Sequence, residues 1–524
     1  MTTPDQLRAA VQAWIADEVD QADAAELRAL LDAEDWDELG DRFAGPLTFG
    51  TAGLRGPLRA GPNGMNRAVV RQAAAGLSEW LLDQGFDGRR VVVGYDARRG
   101  STDFAADSAA ILAAAGFEVT LLPRPLPTPV LAYAVQNLQA VANVQVTASH
   151  NPPEDNGYKV YVGDGAQINT PVDAEIESEI RAITSISGIP LSADYTVADD
   201  GILDIYVADI SRLVEDGPRD LKIVHTALHG VGTETIKRVF AASGFSALLA
   251  VDEQAEPDGA FPTVAFPNPE EPGALDLALA LAEQSKAELI IANDPDADRC
   301  SVAVPLDDGT WRQLRGDEVG VLLADHLLTK GVVGTYATTI VSSSMLKVIA
   351  ATRGVNYVET LTGFKWISRA APDLAYGYEE ALGYAVAPHL VRDKDGISAA
   401  LLVAELAAEL KDRGSSLLAR LEELYERYGR FTTDQLAVRV DDLGRIGTMM
   451  ARLRNTPPES LLGQAVTVED LLPQTDGIRL TFEGGRVVVR PSGTEPKLKA
   501  YLEVQGDPTA LPTLKHEMSA ALGL

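Results

Sequence analysis

Short apolar runs rich in β-branched residues alternate with amphipathic stretches of helical period along most of the chain. That alternation predicts strands and helices in turn, with Gly and Pro at the joints. From Leu47 onward it reads as strand Val91–Val93, helix Thr102–Ala115, strand Glu118–Leu122, helix Pro129–Leu138 and strand Ala142–Thr147. A second series comes next: strand Leu221–His225, helices Thr233–Ala242 and Leu275–Ser285, and buried strand Glu288–Ala292. A third has strand Tyr336–Val341, a helix from Ser344, strand Tyr357–Thr360 and a long helix near Ile397–Leu410. The tail is richer in strand, at Asp434–Val440, Gly477–Thr481 and Arg486–Val489. Residues 1–44 read as an acidic helical extension, with Trp14, Ile15, Leu27, Leu30 and Leu31 as its apolar positions. The expected organisation is α/β: three similar α/β domains at 45–205, 206–316 and 317–429, then a smaller α+β C-terminal domain at 430–524. Each α/β series ends a strand in a polar loop, a weak sign of internal duplication. Ligands of open α/β sheets lie beyond such carboxyl ends.

Composition narrows the function. The chain has 524 residues, a net charge of −31 and 46% hydrophobic residues, enough for several cores. So acidic a surface repels nucleic acid and anionic membranes, and neither is expected as a partner. The lone Cys300 excludes an intrachain disulfide or a cysteine zinc site and fits a reducing cytoplasm. No apolar run approaches a membrane span, and the first residues lack the basic-then-apolar pattern of a secretory leader.

Three segments carry chemistry. In VTASHNPPEDNGYKVY, a β-forming run ends at Ser149 and His150, Asn-Pro-Pro and Asp-Asn-Gly turns come after it, and Lys159 lies ten residues on. The serine lacks the G-x-S-x-G elbow of hydrolases, and the adjacent His150 is poorly placed as its base. NDPDADR sets Asp294, Asp296 and Asp298 at a spacing of two directly after the run Leu289–Ala292. Alternate carboxylates on a tight turn repel unless a cation compensates, and oxygen ligands favour Mg2+ or Ca2+. An EF-hand is ruled out by Arg299 at loop position six and Pro305 at position twelve. A haloacid-dehalogenase nucleophile would leave Ser149 without a task. A serine beside a metal can carry a phosphoryl group, and Lys159 could then donate or accept a sugar hydroxyl proton. RPSGTEP offers Arg490 with Ser492, Gly493 and Thr494, the donor set for a phosphate dianion held without a metal. Weaker candidates are Arg55 among the glycines of GTAGLRG, and Glu379 and Glu380 on a loop after Leu374–Tyr376. Lys365 of TLTGFKW, and Arg392 and Lys394 of RDKDG, are possible phosphate contacts.

Together these motifs resemble the α-D-phosphohexomutase superfamily (phosphoglucomutase/phosphomannomutase), in the family's order and over nearly the whole chain. The resemblance implies three α/β domains and a smaller fourth lining a central cleft. It implies an intramolecular phosphotransferase with Ser149 as the phosphorylated serine. Asp294, Asp296 and Asp298 would hold one Mg2+ with a phosphoserine oxygen, and a sugar bisphosphate would act as primer. It further implies that Arg55 and Lys159 assist proton transfer and that Arg299 contacts the phosphoserine region. Glu379 would bind sugar hydroxyls, and Arg490, Ser492, Gly493 and Thr494 the non-reacting phosphate. The partner would be a small phosphosugar, the enzyme a monomer or homodimer. Where many members have Gly-Glu-x-Ser, this chain has Tyr378-Glu379-Glu380-Ala381. With the N-terminal extension, HGVG and FPTVAFPNPEE, this resembles the longer branch, which includes phosphopentomutase-like enzymes. Glucose and mannose phosphates are the expected substrates. Pentose phosphates or bisphosphate synthesis are the alternative within the family, and a non-catalytic sugar-phosphate-binding protein the alternative outside it.

Overall fold

The computed structural model describes residues 3–50, 53–440, 442, 444–492 and 497–524. The chain divides into two compact units, one of residues 1–313 with 383–408 and one of residues 314–382 with 409–524. Among the described residues, no helix is long and apolar enough to cross a membrane.

The first unit opens with helices Pro4–Asp17, Gln21–Asp32 and Trp36–Arg42, started by Thr3, Asp20 and Asp35, whose side chains accept from backbone N–H groups of the first turn. Leu7, Val11, Leu27, Leu31 and Leu39 pack with Ala60, which ties the helical extension to the body of the unit. The first sheet contains β1 (Leu54–Pro57), β2 (Arg90–Tyr95), β3 (Glu118–Leu121), β4 (Ala142–Val146), β5 (Asp155–Val162) and β6 (Thr196–Val197), in the order β1-β5-β4-β2-β3-β6. Strands β4, β2 and β3 are parallel, while β5 runs antiparallel to β4 and to β1. Burial of Val91, Val93, Val144, Val146 and Val160 against helices Arg67–Asp83 and Ser101–Ala114 forms the core.

The second sheet contains β7 (Ile223–Thr226), β8 (Leu248–Ala250), β9 (Leu289–Ala292), β10 (Ser301–Pro305) and β11 (Trp311–Gln313), in the order β11-β10-β9-β7-β8. It repeats the plan of the first. Parallel β9-β7-β8 match β4-β2-β3, and antiparallel β10 lies beside β9 as β5 lies beside β4. The Ser149 loop comes after β4 and the Asp294 loop after β9, so they occupy equivalent ends of two like sheets.

In the second unit, β12 (Thr335–Thr339) lies between parallel β13 (Asn356–Thr360) and β14 (Leu374–Glu379). The C-terminal part is an antiparallel sheet in which Lys497–Gln505 pairs with Phe431–Arg439 and Gly485–Pro491. Helices Gly444–Asn455 and Leu511–Leu522 cover it through Met450, Leu453, Leu514 and Met518.

The structure moves two candidates from loop to strand. Glu379 is the last residue of β14, which runs past Tyr376. Arg55 lies in β1 opposite Gly157, not in a flexible glycine stretch. Gly53 is needed there because a Cβ would sit 2.4 Å from the Tyr158 carbonyl oxygen, at a φ of +95°.

Candidate active site

Ser149 stands in the turn after β4 with a φ of +52°, a left-handed conformation that strains a non-glycine residue. Its N–H donates to Thr147 Oγ1 at 2.9 Å, and Thr147 N–H donates to the Gly157 carbonyl at 3.1 Å. These bonds aim the hydroxyl at the second sheet. Ser149 Oγ donates to Asp294 Oδ2 at 2.6 Å. His150 Nδ1 lies 3.3 Å from the same hydroxyl, within reach despite its adjacency, so Asp294 is the nearer acceptor.

The NDPDADR turn is wound tightly by its own ends. Asn293 Nδ2 donates to the Arg299 carbonyl at 2.6 Å, and Arg299 N–H donates to Asp294 Oδ1 at 3.0 Å. His225 Nε2 lies 2.9 Å from Asn293 Oδ1, an acceptor, so that nitrogen carries the proton. Burial pushes the His225 imidazole down to about 4, which keeps it neutral near pH 7. Close backbone approach seals the turn: a Cβ on Gly230 would sit 2.3 Å from Pro295 Cα, and one on Gly396 2.2 Å from the Arg299 carbonyl oxygen.

Asp294, Asp296 and Asp298 are fully buried, with one oxygen of each within 4.8 Å of the others. Lys159, on β5, bonds to Asp296 Oδ2 and Asp298 Oδ2 at 2.7 Å each. Thr128 Oγ1 donates to Asp296 Oδ2 at 2.6 Å. Lys394 Nζ is 3.3 Å from Asp298 Oδ2, and Arg299 Nε is 3.7 Å from Asp294 and 3.8 Å from Asp298. Burial raises the Asp298 carboxyl, but Lys159, Lys394 and Arg299 outweigh it and hold it well below the ordinary range. Asp294 is driven well above that range by burial and by the charges of Asp296 and Asp298. The lysines therefore compensate Asp296 and Asp298, while Arg299 and the Ser149 hydroxyl face Asp294. Asp296 Oδ1 and Asp298 Oδ1 are buried and accept no hydrogen bond among the described residues. Orphaned carboxylate oxygens beside a third carboxylate fit a hard divalent cation.

Arg55 Nη1 donates to Asn151 Oδ1 at 3.2 Å, which places it over the Ser149 turn. The first unit thus gathers Ser149, His150, Lys159, Arg55, the aspartates, Arg299 and Lys394. Lys365, Glu379, Arg490 and Ser492 belong to the second unit. Lys365 is buried in the short helix Phe364–Ile367, and Arg490 is near the end of strand Gly485–Pro491, where its side chain bonds to Tyr501. The Glu380 carboxylate accepts from Ser342 at 3.0 Å and Thr339 at 3.3 Å. Gly493 and Thr494 lie outside the described residues.

Sequence reasoning missed several supporting residues. The Tyr161 hydroxyl donates to Asp393 Oδ2 at 2.6 Å, and Tyr206 donates to Asp395 Oδ1 at 2.8 Å. These bonds anchor the RDKDG segment that carries Lys394. Tyr161 was detectable, because residues two apart on a strand share a face and Lys159 was already a candidate. Arg98, in the charged cluster right after β2, had the same kind of signal. Thr128 had none.

Comparison with known proteins points to one family. Family models described as phosphoglucomutase/phosphomannomutase alpha/beta/alpha domains I, II and III match residues 46–187, 204–307 and 315–428, and the C-terminal domain model matches 436–521. A Haemophilus influenzae protein named "Probable phosphomannomutase" is 46% identical over 84% of this chain and 93% of its own length. The Mus musculus protein named "Phosphopentomutase" is 35% identical over 94% of this chain and 90% of its own. A phosphoglucomutase/phosphomannomutase family protein of solved structure from Burkholderia thailandensis superposes with a TM-score of 0.71 at 23% identity, over 90% of this chain and 96% of its own, a likeness of fold.

Proposed function

The chain belongs to the phosphoglucomutase/phosphomannomutase family and is a sugar-phosphate mutase, an intramolecular phosphotransferase; on that premise we propose that it interconverts glucose or mannose 1-phosphate and the matching 6-phosphate by way of phosphate carried on Ser149. The 2.6 Å bond between Ser149 Oγ and Asp294, beside two orphaned carboxylate oxygens, carries the reading. It supports a role for the serine beside a cation site.

In the resting enzyme Ser149 holds a phosphoryl group. Asp294, Asp296 and Asp298 would hold Mg2+, which would supply neutralising charge for the phosphoryl oxygens. The terminal hydroxyl of an aldose 1-phosphate attacks the phosphorus, the bond to Ser149 Oγ breaks, and the proton of the attacking hydroxyl ends on Ser149 Oγ as it leaves. The bisphosphorylated sugar turns over, and Ser149 Oγ takes the other phosphate. Little covalent chemistry is asked of the protein beyond positioning and charge. Burial lowers the proton affinity of Lys159 and the charges of Asp296 and Asp298 raise it, so a cation on those carboxylates would lower it again and let Lys159 exchange a proton with the sugar hydroxyl. Arg55 and His150 attend the Ser149 turn, and Arg299 and Lys394 add positive charge for phosphoryl oxygens. Glu379 takes sugar hydroxyls. Arg490 and Ser492, with Gly493, Thr494 and Lys365, take the phosphate that is not transferred. A sugar bisphosphate primes the cycle. A reducing cytoplasm suits the lone buried Cys300.

A pentose 1-phosphate is the second reading. The mouse phosphopentomutase similarity favours it. Hexose and pentose 1-phosphates with matching bisphosphates, ranked by kcat/KM, decide between them. Glucose or mannose 1-phosphate ranks first on the primary reading. Ribose 1-phosphate ahead by about tenfold, or about 1.4 kcal/mol of transition-state binding, replaces it.

A further inference from the structure

We propose that Arg98 is the positioning residue of the nucleophile, holding the strained turn that presents Ser149 Oγ to the aspartates. This rests on the reading of Ser149 as the phosphoryl carrier and adds what keeps it in place.

The Arg98 side chain is fully buried. Its terminal nitrogens serve four backbone carbonyls of one turn. Nη2 donates to Ser149 O and Asn151 O at 2.6 Å each, and Nη1 to Pro152 O at 2.7 Å and Asp155 O at 3.1 Å. Asp96 Oδ2, 3.4 Å from Nε, balances the charge from the opposite side. Only a planar fork with fixed donors can span four carbonyls this way. An ammonium has three donors arranged around a single atom.

The turn Ser-His-Asn-Pro-Pro-Glu between β4 and β5 has no repeating backbone ladder to rigidify it. Ser149 sits at positive φ, which persists only where the surroundings over-determine it. The direct bond from Arg98 to the carbonyl of Ser149 itself supplies that constraint.

The second sheet's domain completes the arrangement. The Phe261 ring lies 5.0 Å from the Arg98 guanidinium carbon. Phe261 holds a φ of +47° to reach it. Gly259 approaches so closely that a Cβ would sit 2.5 Å from the Ala97 carbonyl oxygen and 2.9 Å from Arg98 Cα. The domain that carries the aspartates thus also shields the arginine that sets the serine, and an aromatic face favours the buried cation. This contact joins the Ser149–Asp294, Lys159–Asp296 and Thr128–Asp296 bonds in holding serine and aspartates in register.

The test uses full-length Arg98→Lys and Phe261→Leu, with glucose 1,6-bisphosphate as phosphoryl donor. The measurements are the rate of Ser149 phosphorylation by intact mass, kcat, KM, the Mg2+ activation constant and the melting temperature. A nucleophile displaced by about an ångström loses rate on the order of 100-fold. Arg98→Lys is therefore expected to slow phosphorylation and kcat together by about that factor, with KM and the Mg2+ constant within about threefold. Phe261→Leu is expected to move the same two rates in the same direction by about tenfold. A purely structural arginine lowers the folded fraction but leaves the rate per folded molecule at the wild-type value. That result overturns the proposal, and should Arg98→Lys not fold, wild-type rates in Phe261→Leu overturn it alone. A wild-type enzyme that turns over but never accepts phosphate refutes the Ser149 reading instead. Normal labelling of wild type and both variants refutes only the role of Arg98.

Discussion

Ser149 Oγ and Asp294 Oδ2 lie 2.6 Å apart although 145 positions separate them in the chain. Two sheets of the same topology make the contact, each contributing the loop after its equivalent strand. The aspartate turn is worth assembling only if something offsets its charge, and lysines compensate one side alone. Asp296→Asn keeps size and packing but removes one buried charge. It is expected to reduce kcat by at least about 100-fold, with a melting temperature within a few degrees of wild type. A chelator is expected to abolish wild-type turnover and Mg2+ to restore it. Activity assays with calorimetric metal titration check both.

Tyr161→Phe tests the anchor of Lys394. The variant leaves buried Asp393 short of one donor, a loss of about 1–3 kcal/mol in stability. Because Lys394 lies 3.3 Å from both Asp298 and Asp393, freeing Asp393 is also expected to reduce kcat by roughly tenfold. Denaturant unfolding and steady-state kinetics on the same preparation separate the two effects.

Arg490→Ala probes binding of the phosphate that stays put. Charge-assisted bonds of this kind contribute about 1.5–3 kcal/mol, so KM for the phosphosugar is expected to rise by roughly ten- to a hundredfold with a smaller change in kcat. An unchanged KM removes Arg490 from the phosphate site.

Asp317 gives the second unit a pH-dependent stability. Burial pushes its carboxyl up to about 7, with Glu380 and Glu503 adding to the rise against donors from Ser343 and Thr433. In the unfolded chain it titrates near 3.8. Between those values the fold holds a proton that the unfolded chain has released, so this contribution is complete at low pH and is lost as pH rises through about 7. Asp317→Asn is expected to gain thermal stability relative to wild type between pH 5 and pH 8 (a range of about 3 units around that shift). Scanning calorimetry across that range checks it, and a difference independent of pH contradicts it.

Much of this was legible in the sequence because it was local. Strands such as Val91–Val93 and Leu289–Ala292 announced themselves as apolar runs closed by polar turns. Ser149 and the aspartates stood out because three like charges after a buried strand need an explanation. What escaped was written in tertiary contacts. Helix Arg67–Asp83 buries most of its residues between the first sheet and helices Ser101–Ala114 and Val172–Ala182, and those neighbours are not read from its own segment. Strand Leu54–Pro57 is short and exists because β5 offers it an edge. Thr128 and Asp393 look like ordinary polar residues until Asp296 and Tyr161 are seen beside them.

Intact-protein mass spectrometry of the wild type and Ser149→Ala after incubation with glucose 1,6-bisphosphate addresses the phosphoryl carrier itself. The wild type is expected to gain one phosphoryl group, mapped to Ser149 and lost on adding the monophosphate substrate, while the variant gains none and does not turn over. A wild type that interconverts phosphosugars yet never carries the group, or a Ser149→Ala protein that still does, contradicts the account.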